Sequence, residues 1–305
     1  MVRLSMVHFS FPVEVKLGLR SAENASSLAL RMSGHAPMML GGELGTLAVG
    51  LVMAGVVSGF LSGTLGAGGI VLVPALYQVL AAVGVPQDLR MHLAIGTSLA
   101  VIAPVSLLTL SRDKAATDWP TIRRWSPPLL VGAIGGAVLT AMTSGEGLML
   151  VFGAVAVPVA AYLLIAKPGW RFASRPPQGP FGAILPFAVG GASAMMGTDG
   201  GTLGLPALNL LGVERTLGTA SAIGALIAIP GAIASVVAGW HAEGLPEYSW
   251  GYVNLMAFAV TAPVAFFMAP LGASFAHLID RARLRKLLGL LIAITALKML
   301  WDALS

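Results

Sequence analysis

Gly197-Thr198-Asp199-Gly200-Gly201-Thr202-Leu203-Gly204-Leu205-Pro206-Ala207-Leu208 lies inside apolar sequence, and an earlier stretch, Gly63-Thr64-Leu65-Gly66-Ala67-Gly68-Gly69-Ile70-Val71-Leu72-Val73-Pro74-Ala75-Leu76, matches it. Gly68-Gly69 aligns with Gly200-Gly201, and Pro74-Ala75-Leu76 with Pro206-Ala207-Leu208. Two more matches follow in the same order. Leu93-Ala94-Ile95-Gly96-Thr97-Ser98 is similar to Thr216-Leu217-Gly218-Thr219-Ala220-Ser221, and Leu148…Phe152-Gly153 to Leu284…Leu288-Gly289. Three ordered matches at similar spacing indicate an internal duplication. Each glycine-rich stretch is short and nearly uncharged, so it reads as a break within an apolar hairpin rather than an ordinary loop.

The sequence around these breaks belongs in lipid. Of the 305 residues, 56% are hydrophobic and 10% charged, and the mean hydropathy is +0.85. A soluble domain carries about 25% charged residues. Runs such as 93–110, 129–142, 148–166 and 217–240 approach or reach the ~20 residues that cross ~30 Å of hydrocarbon. Apolar segments are expected at 44–62, 70–84, 93–111, 126–144, 147–166, 181–196, 202–212, 217–239, 251–272 and 284–303. The fold class is therefore an all-α polytopic membrane protein, expected as two inverted repeats of about five segments. Each repeat opens with a Gly-rich broken-helix hairpin. The organisation is an N-terminal tail (1–43), a first transmembrane repeat (44–166), a cytoplasmic linker (167–180) and a second repeat (181–303).

The inversion comes from charge. Lys and Arg mark cytoplasmic links. They gather at Arg112, Lys114, Arg123 and Arg124, again at Lys167, Arg171 and Arg175, and again at Arg281, Arg283, Arg285 and Lys286. The links holding Glu146, and His241, Glu243 and Glu247, lack them and are expected outside. Between Arg175 and Glu243 the chain must cross an odd number of times, so segments six and seven turn back as a hairpin before segment eight crosses. The same hairpin in the first half places the two halves in opposite orientations, an architecture common among secondary transporters. The net charge of +5 and pI near 9.9 form no basic stripe, which argues against a nucleic-acid partner. Cysteine is absent, the five histidines are scattered, and there is no HExxH, GxSxG or Walker motif. No cofactor and no enzyme activity are expected.

The breaks themselves suggest chemistry. A helix interrupted at mid-membrane exposes unpaired amides at the N-terminus of the following half-helix, an end that suits an anion. Gly66, Gly68 and Gly69 in one break, and Gly200, Gly201 and Thr202 in the other, are candidate substrate contacts, against the alternative of close packing through small residues. Thr97, Ser98 and Ser221 are hydroxyls in apolar helices that either donate to a substrate or bond their own i−4 carbonyls. Asp199 is a carboxylate deep in apolar sequence, where such residues are costly and usually functional. With Thr198 it is assigned to a coupling proton or Na⁺, with a helix N-cap as the alternative. Asn209 is read as an interhelical bond, Arg90 and His92 as an external link, and Trp119, Trp125, Trp240 and Trp250 as interfacial anchors.

The pattern resembles the sulfite exporter TauE/SafE family, also called the TSUP family of anion transporters. The residues that carry the resemblance are Ser58-Gly59-Phe60-Leu61-Ser62-Gly63-Thr64-Leu65-Gly66-Ala67-Gly68-Gly69 leading to Val73-Pro74, then Ala94-Ile95-Gly96-Thr97-Ser98-Leu99, and the degenerate second copy from Gly190 to Pro206. It covers roughly 44–303. The resemblance implies transport of small sulfur-containing anions such as sulfite, sulfoacetate or other organosulfonates, in the inner membrane of a bacterium. Thr198-Asp199 departs from the uncharged glycine turn that the family pattern would place there. The expected function is thus a secondary transporter of such anions by alternating access, with proton or sodium coupling through Asp199. An intramembrane enzyme or a channel-like membrane subunit are the competing readings.

Overall fold

All ten apolar segments form helices in the computed structural model, which describes residues 45–165, 181–213, 216–276 and 281–304. The tail (1–43) and the linker (167–180) lie outside the described residues. The helices are α1 (Gly45–Leu65), α2 (Gly69–Ala82), α3 (Gln87–Arg112), α4 (Trp119–Met142), α5 (Gly145–Ile165), α6 (Phe181–Met196), α7 (Gly200–Leu210), α8 (Thr216–Ala238), α9 (Leu255–Phe275) and α10 (Arg281–Leu304). A two-residue antiparallel ladder, β1 (Ser249–Trp250) with β2 (Val253–Asn254), precedes α9. Seven of the helices, α1, α3, α4, α5, α8, α9 and α10, are long and apolar enough to cross a membrane.

Two helices start well before their apolar runs. Helix α3 begins at Gln87 and α4 at Trp119, where the first two turns carry Asp88 and Arg90, and Arg123 and Arg124. Hydropathy misses such ends because the polar turns stand at or beyond the lipid boundary. The start of α4 is instead written in local chemistry: the Asp118 carboxylate accepts from the Thr121 amide (3.3 Å) and hydroxyl (2.8 Å), and Pro120 occupies the second helical position.

The breaks are made by backbone. Gly66 and Gly197 both sit at φ +65°, the left-handed region that only glycine enters freely. After Gly197 the Thr198 amide reaches back to Ser193 O (3.0 Å) and the Gly197 amide to Ala194 O (3.3 Å), a Schellman closure that ends α6.

Helix directions follow from close glycine contacts. Gly55 lies against Thr261, Gly59 against Ala265 and Gly63 against Ala269, so α1 runs parallel to α9. Gly50 lies near Val79 and Gly68 against Ser58, so α2 returns along α1 toward its start. Gly132 abuts Phe187 and Gly136 abuts Gly191, so α6 runs with α4. Such backbone-to-backbone approaches let van der Waals packing hold helices together where lipid supplies no hydrophobic drive.

Two faces result. On the first, the start of α3 meets the α4–α5 turn, where Gly145 packs on Gln87 and Asp88, and Gly244 lies near Leu89. On the second, Gly218 at the start of α8 packs on Asp113 and Ala116, and the Thr219 hydroxyl accepts from the Asp118 amide (2.9 Å). The α1–α2 hairpin opens toward the first face. The α6–α7 hairpin opens toward the second, because α7 leads directly into the start of α8.

Candidate functional site

The two hairpins meet tip to tip, and Asp199 joins them. It is the N-cap of α7: its Oδ1 accepts from the Thr202 hydroxyl (2.9 Å) and amide (3.3 Å). Its Oδ2 crosses to the other hairpin and accepts from the amides of Gly68 (2.8 Å) and Gly69 (3.3 Å), with the Ser62 hydroxyl at 3.5 Å. The amide ends of α2 and α7 therefore converge on one carboxylate. Each carries the partial positive charge of a helix N-terminus, so a negative group between them is stabilised from both sides.

This places the sequence-derived residues unequally. Asp199 is 3% exposed, Thr198 0% and Thr202 3%, and Gly66, Gly68, Gly69, Gly200 and Gly201 are buried with them. Gly66 approaches the Gly201 Cα, and a Cβ added at Gly201 would fall on the Gly66 carbonyl. A Cβ at Gly69 would stand 2.9 Å from the Asp199 nitrogen and 3.0 Å from the Thr198 Cα. Gly66, Gly69 and Gly201 are thus the surfaces through which the two tips touch, while Gly68 packs on Ser58 of α1 and Gly200 on Ala220 and Gly224 of α8. The N-cap of α2 is Gly68 and that of α7 is Asp199, so the halves correspond one residue out of step with the alignment of Gly68 to Gly200.

Thr97 and Ser98 both bond other elements. Ser98 Oγ donates to Gly197 O (2.8 Å), gripping the α6–α7 tip. Thr97 Oγ1 accepts from the Asn254 amide (2.9 Å), gripping the strand that leads into α9. Adjacent hydroxyls on α3 thus brace the tip and the first-face link. Ser221 is buried on α8. Two hydroxyls near the tip, Ser193 Oγ and Thr198 Oγ1, are fully buried without a hydrogen-bond partner.

Three expectations need correction. His92 is not in a solvated link: it lies within α3, 7% exposed, with Nδ1 at 2.9 Å from Asp88 O and Nε2 at 3.1 Å from both Thr140 O and Thr143 O. Its ring lies 4.8 Å from that of Tyr252, so it fastens three elements of the first face. Trp125 is 2% exposed and packs in the core, whereas Trp119, Trp240 and Trp250 are exposed as anchors should be. Asn209 is exposed near the end of α7, and so does not make a buried interhelical bond.

A family model for the sulfite exporter TauE/SafE matches residues 51–299, which takes in both glycine breaks and all or most of every long helix. The chain belongs to the TauE/SafE family. A curated relative from Haemophilus influenzae (strain Rd), described as a probable membrane transporter protein, is 28% identical over 256 residues, covering 81% of this chain and 96% of that protein. No solved structure matches. As a TauE/SafE protein with seven membrane-length helices, the chain is a multi-pass membrane transporter. The Asp199 bridge was missed from sequence in one respect: nothing in the residue order says that the carboxylate of one hairpin caps the helix of the other.

Proposed function

We propose that this protein is a secondary transporter of small sulfur-containing anions, sulfite, sulfoacetate or another organosulfonate, in a bacterial inner membrane. The observation that carries the reading is the convergence of two broken-helix N-termini, Gly68-Gly69 and Gly200-Gly201-Thr202, at the meeting point of hairpins from opposite faces. Discontinuous helices meeting near the middle of the membrane are where transporters of inverted-repeat construction hold substrate and coupling ion. The glycine turns with Thr202 and Ser221 would face the substrate. Asp199 with Thr198 would handle a proton or Na⁺, since hard cations take oxygen ligands.

The halves, 44–166 and 181–303, are read as inverted copies working by alternating access. Two features support this. The hairpins open to opposite faces, and α2 and α7 end alike, with Val85 N bonding Leu80 O and Val213 N bonding Leu208 O, both at 3.0 Å. Arg112, Lys114, Arg123 and Arg124 gather at the second face, which supports reading that face as cytoplasmic. Alkaline phosphatase fused after Ser305 is then expected to be active. A fusion active only as a cytosolic reporter would reverse the orientation.

The transport test uses proteoliposomes loaded with labelled sulfite or sulfoacetate under an imposed pH or Na⁺ gradient. Flux that follows one gradient is expected, with Asp199→Asn losing that dependence. Absence of flux for every sulfur anion tried removes the substrate assignment. Unchanged gradient dependence in Asp199→Asn removes the coupling role.

A further inference from the structure

We infer that Asp199 is a latch between the two hairpins: its carboxylate closes the tips on each other, and the route between the two faces opens only when Oδ2 leaves the amides of Gly68 and Gly69. This deepens the transporter reading and rests on it, but it makes a separate claim, that one side chain sets the closed arrangement.

The geometry divides the carboxylate into a fixed half and a crossing half. Oδ1 is bound within its own hairpin, to the Thr202 hydroxyl and amide. Oδ2 is bound to the other hairpin, to Gly68 N, Gly69 N and the more distant Ser62 hydroxyl. Separation of the tips must therefore break the Oδ2 bonds and can leave the Oδ1 bonds intact. Among the side-chain hydrogen bonds described between the two hairpins, only those of Asp199 cross. The other tip contacts are van der Waals in character, as between Gly66 and Gly201, Gly69 and Thr198, and Gly197 and Val73.

The closed tips also hold polar groups at a cost. Thr198 Oγ1 within the α6–α7 break, and Ser193 Oγ one turn before it, are fully buried and unpaired. A buried hydroxyl without a partner gives up its hydration for nothing. Opening that admits water would satisfy both, so these groups favour the open arrangement and the Asp199 bridge opposes them. Two arrangements close in free energy, biased by a few hydrogen bonds, are what a population shift requires. The other hairpin shows the contrast. The α2 N-cap is Gly68, with no side chain to reach across, so the latch exists on one side only.

The absence of cysteine allows a direct test. Ser193→Cys replaces an unpaired buried hydroxyl with a thiol and breaks no side-chain hydrogen bond. The full chain carrying this single cysteine is reconstituted without substrate or gradient and exposed to a membrane-impermeant maleimide. Ala156→Cys, fully buried in α5 and outside both hairpins, serves as the control. With Asp199 present, Ser193→Cys is expected to label slowly. Asp199→Asn, which keeps one acceptor but not the charge, should label faster, and Asp199→Ala faster still, by about tenfold or more over the parent, the scale of shift that loss of a few hydrogen bonds produces. The Ala156→Cys control should stay slow in all three backgrounds.

Equal Ser193→Cys rates in all backgrounds would overturn the latch. So would a parallel rise at Ala156→Cys, which means general loosening. If Asp199→Ala does not survive purification, Asp199→Asn decides alone: a faster rate at Ser193→Cys with a slow control supports the latch, and a parental rate overturns it. Failure to move any sulfur anion would sink the substrate assignment and leave the labelling order unaffected, so the two claims fail separately.

Discussion

Asp199→Ala is expected to lower the stability of the detergent-solubilised protein by about 3 kcal/mol, summing hydrogen bonds that average roughly 0.6 kcal/mol each in membrane proteins. The carboxylate accepts from five donors: the amides of Gly68, Gly69 and Thr202, and the hydroxyls of Thr202 and Ser62. Alanine removes all five at once. The hydroxyls can turn to other acceptors and the Thr202 amide keeps the residue-199 carbonyl at 3.3 Å, but the amides of Gly68 and Gly69 are fixed by the backbone and stay buried and unpaired. Asp199→Asn should cost less, about 1–2 kcal/mol, because an unmet buried donor costs on that order. Its oxygen can serve Gly68 and Gly69, while its NH₂ can donate to the Thr202 hydroxyl but must face the Thr202 amide. Thermal unfolding followed by tryptophan emission measures the series, with the order Asp, Asn, Ala expected. Asp199→Ala matching the parent would mean that the bridge contributes nothing to the resting state.

What was legible in the sequence is explained by which forces act locally. Ten apolar segments, both breaks and the grouping of charged links by face can be read because lipid selects apolar length and glycine marks positive φ, as at Gly66 and Gly197. Asp199 stood out because a carboxylate there needs a reason, and its N-cap role is local chemistry, set by Thr202 three residues on. Its second role, capping α2, depends on contacts 130 and 131 residues apart, and no pattern in the chain encodes that distance. Ser98 and Thr97 illustrate the same limit. Their hydroxyls were visible, but their partners, Gly197 O and Asn254 N, lie in other elements. Hydropathy misplaces His92 because it starts the helix at the first apolar residue, Leu93, whereas α3 begins at Gln87 and His92, in its second turn, packs against Thr140 and Thr143.

Gly201→Ala is expected to cost about 3 kcal/mol or more, the upper end of overpacking in a close-packed interior. The obstacle decides the magnitude. A methyl at Gly201 would fall on the carbonyl of Gly66, and backbone cannot swing aside as the end of a flexible side chain can. The tips must separate, which also lengthens the Asp199 bonds to Gly68 and Gly69, so stability and the labelling of Ser193→Cys should change together. Gly135→Ala is the matched control: nothing lies within 4 Å of a Cβ there, so α4 should accept it without loss. Gly66→Ala separates conformation from space. Its Cβ would have room, with the nearest atom at 3.7 Å, but φ +65° costs an alanine about 1–2 kcal/mol. The expected order of destabilisation is Gly201→Ala, then Gly66→Ala, then Gly135→Ala, read by thermal unfolding in one detergent. If Gly201→Ala proved as mild as Gly135→Ala, the two hairpin tips could not be in backbone contact in the resting protein, and a latch holding them closed would have nothing to close.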